Sequence, residues 1–216
     1  MKKCYMCDEA GTTREHVPPD AFFPEGHRTN LWTVRSCPKH NLGNSKDVEY
    51  VFGLIVNQLY ATGSAHALSQ SKAFRAFNKS NGLFHAVFKN AQPALLKGEP
   101  TVVFRLDLPR FKLVMSAIAY AVYYKTSGNR FAGDWRIISP NLSTSRSLYK
   151  GIPSRWDRLN AMFQSLPFTE IRTPEPEVFK CSVTKQDEGN FIYKFVLYNG
   201  FTVYAWAVPA QAAAAA

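Results

Sequence analysis

Two residue pairs with soft or borderline donor atoms constrain this chain more than anything else in its sequence: Cys4-x-x-Cys7 near the start and Cys37-x-x-His40 further on. Two intervening residues let a tight turn aim both side chains of a pair at one point, and two such pairs supply the four ligands of a tetrahedral zinc ion. Three of the four cysteines fall into the pattern, so it is not a by-product of a cysteine-rich composition. The competing reading is a disulfide from Cys4 to Cys7 or Cys37. No signal peptide precedes Cys4, and a chain of this length can build a core without covalent staples, which favours the metal. A site with four protein ligands is closed, so the expected zinc holds the fold and leaves chemistry to other groups.

The segment framed by these pairs has a simple local reading. Thr12 to Pro19 is a short strand stopped by Pro18 and Pro19, which cannot continue a ladder. Leu31 to Val34 is the returning strand. Val48, Val51, Phe52, Ile55 and Leu59 then recur at helical spacing, one apolar stripe of an amphipathic helix. Strand, loop, strand and helix are thus expected around one ion. Asp47 and Glu49 fit the acidic N-terminus of that helix.

In order along the chain stand Cys4-x-x-Cys7, Glu15-His16-Val17-Pro18-Pro19, Asn30-Leu31 and Cys37-x-x-His40-Asn41. Over about residues 4 to 60 this arrangement resembles the HNH endonucleases of the ββα-metal fold, in the subgroup that carries a zinc knuckle. The resemblance implies hydrolysis of a phosphodiester with one divalent cation, magnesium or manganese. Carried over by position, His16 matches the general base, Glu15 the acidic metal ligand and Asn41 a second metal ligand on the helix. Asn30 matches the middle asparagine, which orients the loop and the histidine. The chain departs from the family in having His40 where cysteine is commoner, a swap zinc tolerates. It also has a longer interval from Asn30 to Cys37.

The residue types suit what the implied reaction needs: a nucleophilic water, an in-line approach and stabilisation of charge developing on phosphoryl and leaving oxygens. An imidazole with an unperturbed pKa of roughly 6.5 takes a proton from water near neutral pH at little cost. A carboxylate and an amide oxygen are hard ligands suited to magnesium, which binds through one or two protein groups plus substrate phosphate. Adjacent residues of a regular strand point to opposite sides, so Glu15 and His16 can share one cation only if the strand bends between them.

Composition fits a polyanionic partner. Lysine and arginine number 26 against 16 acidic residues, a formal charge of +10 and a pI near 9.5. Arg14, Arg28, Arg35, Lys39 and Lys46, with Lys2 and Lys3, lie in the first fifty residues and are the expected phosphate contacts. Such contacts position the backbone without reading bases. His27, His66 and His85 are read as surface or satisfied core residues.

Past the first helix, 65 to 77 and 83 to 89 read as helices and 101 to 106 as a strand. A helix over about 109 to 125 opens with Asp107 as its cap and Pro109 early, and its apolar run is too short for a bilayer. Trp135 to Ile138 reads as a strand and 153 to 163 as a short helix, with polar loops at 139 to 147 and 169 to 177. Residues 178 to 183, 191 to 198 and 201 to 208 read as an antiparallel meander whose last two strands meet at Asn199-Gly200. Its many aromatics are expected in the core rather than as a base-stacking surface, and Cys181 as a small buried hydrophobe.

The expectation is therefore an α+β protein: a zinc-stabilised HNH module over 1–62, an α+β accessory region over 63–209 with a C-terminal antiparallel meander, and a low-complexity alanine tail over 210–216. The expected activity is metal-dependent cleavage of DNA, with RNA as the alternative polymer, in the cytoplasm and without a membrane. The resemblance fits an anti-phage or genome-conflict effector. The accessory region is expected to dock substrate, a regulatory protein or a second copy of the chain. The rival expectation is a non-catalytic zinc-knuckle module that binds nucleic acid or protein.

Overall fold

The computed structural model describes residues 2–24, 26–41, 46–61, 89–96, 99–142, 155–187 and 189–210. They form an α+β structure in which antiparallel sheets pack with three α-helices. Strand β1 (Thr13–Val17) pairs with β2 (Trp32–Ser36), and helix α1 (Lys46–Ala61) follows. A hairpin of β3 (Gln92–Leu96) and β4 (Glu99–Val103) precedes the long helix α2 (Leu108–Ser127). Strand β5 (Gly133–Ile138), helix α3 (Arg155–Gln164), then β6 (Thr169–Ile171), β7 (Phe179–Asp187), β8 (Asn190–Leu197) and β9 (Phe201–Pro209) complete the chain.

The expected meander is present as β7, β8 and β9, and it is the middle of a larger object. Strand β5 adds antiparallel to β9 and β6 to β7, giving a five-stranded sheet in the order β5-β9-β8-β7-β6. Thr169–Ile171, expected as loop, is that short edge strand: its pairing with Val183, Ser182 and Cys181 supplies what its polar sequence does not advertise. The strand expected at 101 to 106 instead spans Glu99–Val103, since its partner ends at Gln92, opposite Val103. Helices expected at 65 to 77 and 83 to 89 lie outside the described residues, apart from Lys89, which is in a turn.

Helix α2 is bounded as its sequence dictates. The Asp107 side chain accepts a hydrogen bond from the Arg110 amide at 3.3 Å, Pro109 sits in the first turn, and Gly128 closes the helix at φ 75°. Its buried stripe, including Val114, Met115, Ile118 and Val122, runs through the middle of the molecule. It packs against α1, the β1–β2 pair, β5 and β9. One cluster of buried residues consequently extends from Cys4 and Tyr5 through Ile55 and Val122 to Phe195 and Ala207. Most aromatics of the meander belong to it: Phe195, Phe201 and Tyr193 are buried, and Phe191 packs ring against ring with Phe131 and with Trp135 of β5. Tyr204 and Trp206 turn instead to a second, smaller core with Phe163 of α3. Burying such rings removes much apolar area from water.

Two polar ties fasten the helices. Arg110 pairs with Asp47 at the start of α1, donates to the Lys46 carbonyl at 2.6 Å, and lies over the Tyr50 ring at 4.4 Å. The Tyr50 hydroxyl accepts from the Asp107 amide at 2.9 Å. Asp47 therefore closes one helix end on the next.

Candidate metal centre

The zinc pattern is assembled by a small hairpin that precedes β1. Lys3 bridges to Ala10, the Cys4 amide donates to the Glu9 carbonyl, and the Tyr5 amide donates to the Arg35 carbonyl at 2.9 Å. The first turn is thereby laid beside β2. Close contact is possible because residue 11 is glycine: a Cβ there would stand 2.8 Å from Cβ of Arg35. At the far end of β2 a short 3-10 turn, Pro38–His40, brings the second pair around.

The result is a convergent donor set. The ligand atoms of Cys4, Cys7, Cys37 and His40 all lie within 4.8 Å of one another. Cys7 and Cys37 sulfurs are 3.8 Å apart, and His40 Nδ1 is 3.4 Å from the Cys37 sulfur and 3.7 Å from that of Cys4. A tetrahedral zinc with Zn–S near 2.3 Å and Zn–N near 2.05 Å requires sulfur–sulfur edges of about 3.8 Å and sulfur–nitrogen edges of about 3.6 Å. These three edges match, whereas a disulfide needs sulfurs about 2.05 Å apart. All four cysteines are free thiols. Cys4 and Cys37 are buried, Cys7 and His40 half-buried.

The electrostatics suit a cation. Burial acts to raise the Cys4 thiol, yet hydrogen bonds from the Met6, Cys37 and Cys7 amides and from the His40 ring outweigh it and bring it down to about 6. Burial pushes the Cys37 thiol the other way, up to about 11. Two neighbouring sulfurs do not both ionise unaided, and a divalent ion removes the conflict.

The other expected site residues surround this cage. The β1–β2 register is unbroken: Arg14 faces Arg35, Glu15 faces Val34 and His16 faces Thr33. Burial alternates with it. Glu15, 3 % exposed, points with Val17 and Val34 into the core, while His16 shares the outer face with Arg14. The bend that would turn Glu15 and His16 to one side is not there. Glu15 instead lies by Tyr5, whose hydroxyl is 3.5 Å from the His40 carbonyl. Burial, then the charges of Glu15, Cys4 and Cys37, hold that phenol far above its ordinary range.

Asn41 caps the 3-10 turn directly after the last zinc-type ligand, in extended conformation, and α1 begins only at Lys46. Asn30 is exposed at the entry to β2 and takes the left-handed conformation, φ 59°, that asparagine tolerates better than most residues. Of the basic residues, Lys39 is exposed on the 3-10 turn and Lys46 at the start of α1. Arg28 is committed to its own loop, donating to the Phe23 carbonyl at 2.9 Å. His27 is paired with Glu175 at 2.9 Å.

Sequence reasoning did not single out Tyr124 or Lys125. Both reach the β1–β2 pair from the C-terminal end of α2 and line a cleft of about 380 Å³ with Lys2, Arg14, Thr33 and Arg35. Only the packing of α2 against β2 could have revealed them. Among the described residues no helix is long and apolar enough to cross a membrane. No protein-family model, curated protein or solved structure matches this chain.

Proposed function

We propose that this chain is a metal-dependent endonuclease of the HNH type that hydrolyses phosphodiester bonds in DNA, with His16 as the general base. The observation that carries the reading is the convergence of Cys4, Cys7, Cys37 and His40 on one point, next to a strand pair followed by a helix. This is the frame that the HNH resemblance implies. His16 is half-buried on the outer face of β1, the face that exposes Arg14, and a phosphate held there would place an attacking water beside it. Its imidazole would take the water's proton as the oxygen attacks phosphorus, and the cationic face would hold the scissile strand.

Glu15 and Asn41 have the oxygen donors that magnesium or manganese prefers, and a cation held by them would supply charge stabilisation at the phosphoryl oxygens. Donor chemistry fits; the inward placement of Glu15, away from His16, does not by itself unite base and cation. That placement favours a second reading, a non-catalytic zinc module that binds nucleic acid. The two part on one assay. Supercoiled plasmid is incubated with wild type or His16→Ala in magnesium or manganese. Nicking by wild type that the substitution abolishes upholds the enzyme, whereas equal DNA binding with no cleavage by either protein upholds the binding module.

A further inference from the structure

We infer that the cleft between the β1–β2 pair and the end of α2 is a phosphate track for a nucleic-acid strand, gripped by Lys2, Arg14, Arg35 and Lys125. The cleft, about 380 Å³, has four cations and no acidic residue in its lining, with Tyr124 and Thr33 beside them. Among the described residues none of the four cations makes an ion pair with a carboxylate.

Folding alone does not account for this arrangement. Arg14 and Arg35 are direct cross-strand partners, and like charges placed opposite one another on a sheet are destabilising. Lys125 on its own would be read as a cation answering the negative end of the α2 dipole. Lys2 is brought in separately, by the bond from the Gly11 amide to its carbonyl at 2.9 Å and by the glycine contact with Arg35. Three separate segments thus deliver positive charge to one concavity, and a bound polyanion would relieve the repulsion among them.

A strand is favoured over a small anion by the direction in which the charge continues. On the same face, two residues beyond the Arg14–Arg35 pair and roughly 7 Å along the strands, stand His16 and Thr33. A phosphodiester seated on the arginines would lead its neighbour toward His16, and Tyr124 offers a ring at the other wall. The path toward His16 rests on the nuclease reading, while binding at the cleft does not.

The test is fluorescence anisotropy with a short labelled DNA duplex and no added magnesium or manganese, over a series of salt concentrations. Wild type is compared with Arg35→Glu, Lys125→Glu and, as a charge-matched control on an exposed part of α2, Lys112→Glu. The expected result is at least about tenfold weaker binding for the two cleft variants than for the control, with the salt slope shallower by about one for each phosphate no longer held. Lys125 is exposed at a helix end, so its variant keeps the test sound if Arg35→Glu misfolds. Binding and slope of Lys125→Glu equal to the control overturn the track. Displacement of the duplex by micromolar pyrophosphate also overturns it, in favour of a small-anion pocket. Binding that depends on the cleft, together with no plasmid nicking by wild type in magnesium or manganese, leaves the track standing and removes the catalytic role of His16.

Discussion

Tyr198, in the turn between β8 and β9, donates its phenolic hydrogen to the carbonyl of Phe22 in the loop between β1 and β2. This bond joins the first sixty residues to the last sheet, and both ends are buried. The turn itself is shifted from its expected position. Leu197 accepts from the Gly200 amide, so Tyr198 and Asn199, at φ 52° and 55°, are the central pair rather than Asn199 and Gly200. A tyrosine in the left-handed region costs roughly 1 kcal/mol, offset here by its hydroxyl bond and by its amide bond to the Val178 carbonyl at 2.9 Å.

Tyr198→Phe should therefore destabilise the whole chain by about 1–3 kcal/mol, because it leaves a buried carbonyl without its donor. Thermal unfolding should show one transition lowered by several degrees. An unchanged melting temperature would mean that water replaces the hydroxyl at no cost.

The donor set predicts one zinc per chain. Elemental analysis of protein purified without added metal should find it, and Cys37→Ser should lose it. Losing the ion and leaving three donors without it should cost a few kcal/mol in a chain that keeps the rest of its core, so the variant should melt lower by about 10 °C. Lys2 and Arg35 each stand two residues before a ligand, so duplex binding should fall with the metal. Full stability in a strong chelator would count against the site.

His16→Ala should lower plasmid nicking by a factor of about 10² to 10⁴, the usual contribution of a positioned base, while duplex affinity changes less than about twofold. An equally large drop in binding would recast His16 as a phosphate contact.

Asp47→Ala should cost about 1 kcal/mol, since its partner Arg110 is only partly exposed and keeps its contacts with the Lys46 carbonyl and the Tyr50 ring. Urea titration followed by circular dichroism measures it. A loss of several kcal/mol would mean that the pair is the main fastening between α1 and α2.

Alkali should unfold the protein early. Burial raises the phenols of Tyr5 and Tyr198 far above their ordinary range and pushes Tyr193 up to about 12. The unfolded phenol ionises near 10, so between roughly pH 10 and 12 the unfolded chain has lost protons that the native state retains. Stability is accordingly full below pH 10 and falls as pH rises. Tyr198→Phe should weaken this dependence, read as urea midpoints from pH 8 to 11.

Much of this was legible in the sequence wherever one interaction dominates a short segment. The ligand spacing located the cage, the apolar stripe gave α1, and Asp107 with Gly128 bounded α2. What could not be read depends on partners far away in the chain. Thr169–Ile171 is a strand only because β7 offers an edge, and the turn at Tyr198 is set by Phe22. The opposed faces of Glu15 and His16 were foreseeable from strand periodicity. A shared cation requires a bend beside Pro18 and Pro19 that the unbroken β1–β2 ladder does not contain.

The contact between Gly11 and Arg35 limits what this chain can become. A methyl group at position 11 would stand 2.8 Å from Cβ of Arg35 and 3.0 Å from the Lys3 carbonyl. Even alanine there must prise the opening hairpin off its neighbour, shifting a sulfur ligand and a lysine together. In a saturation scan, position 11 should be as intolerant as the cysteines themselves, although it carries no reactive atom.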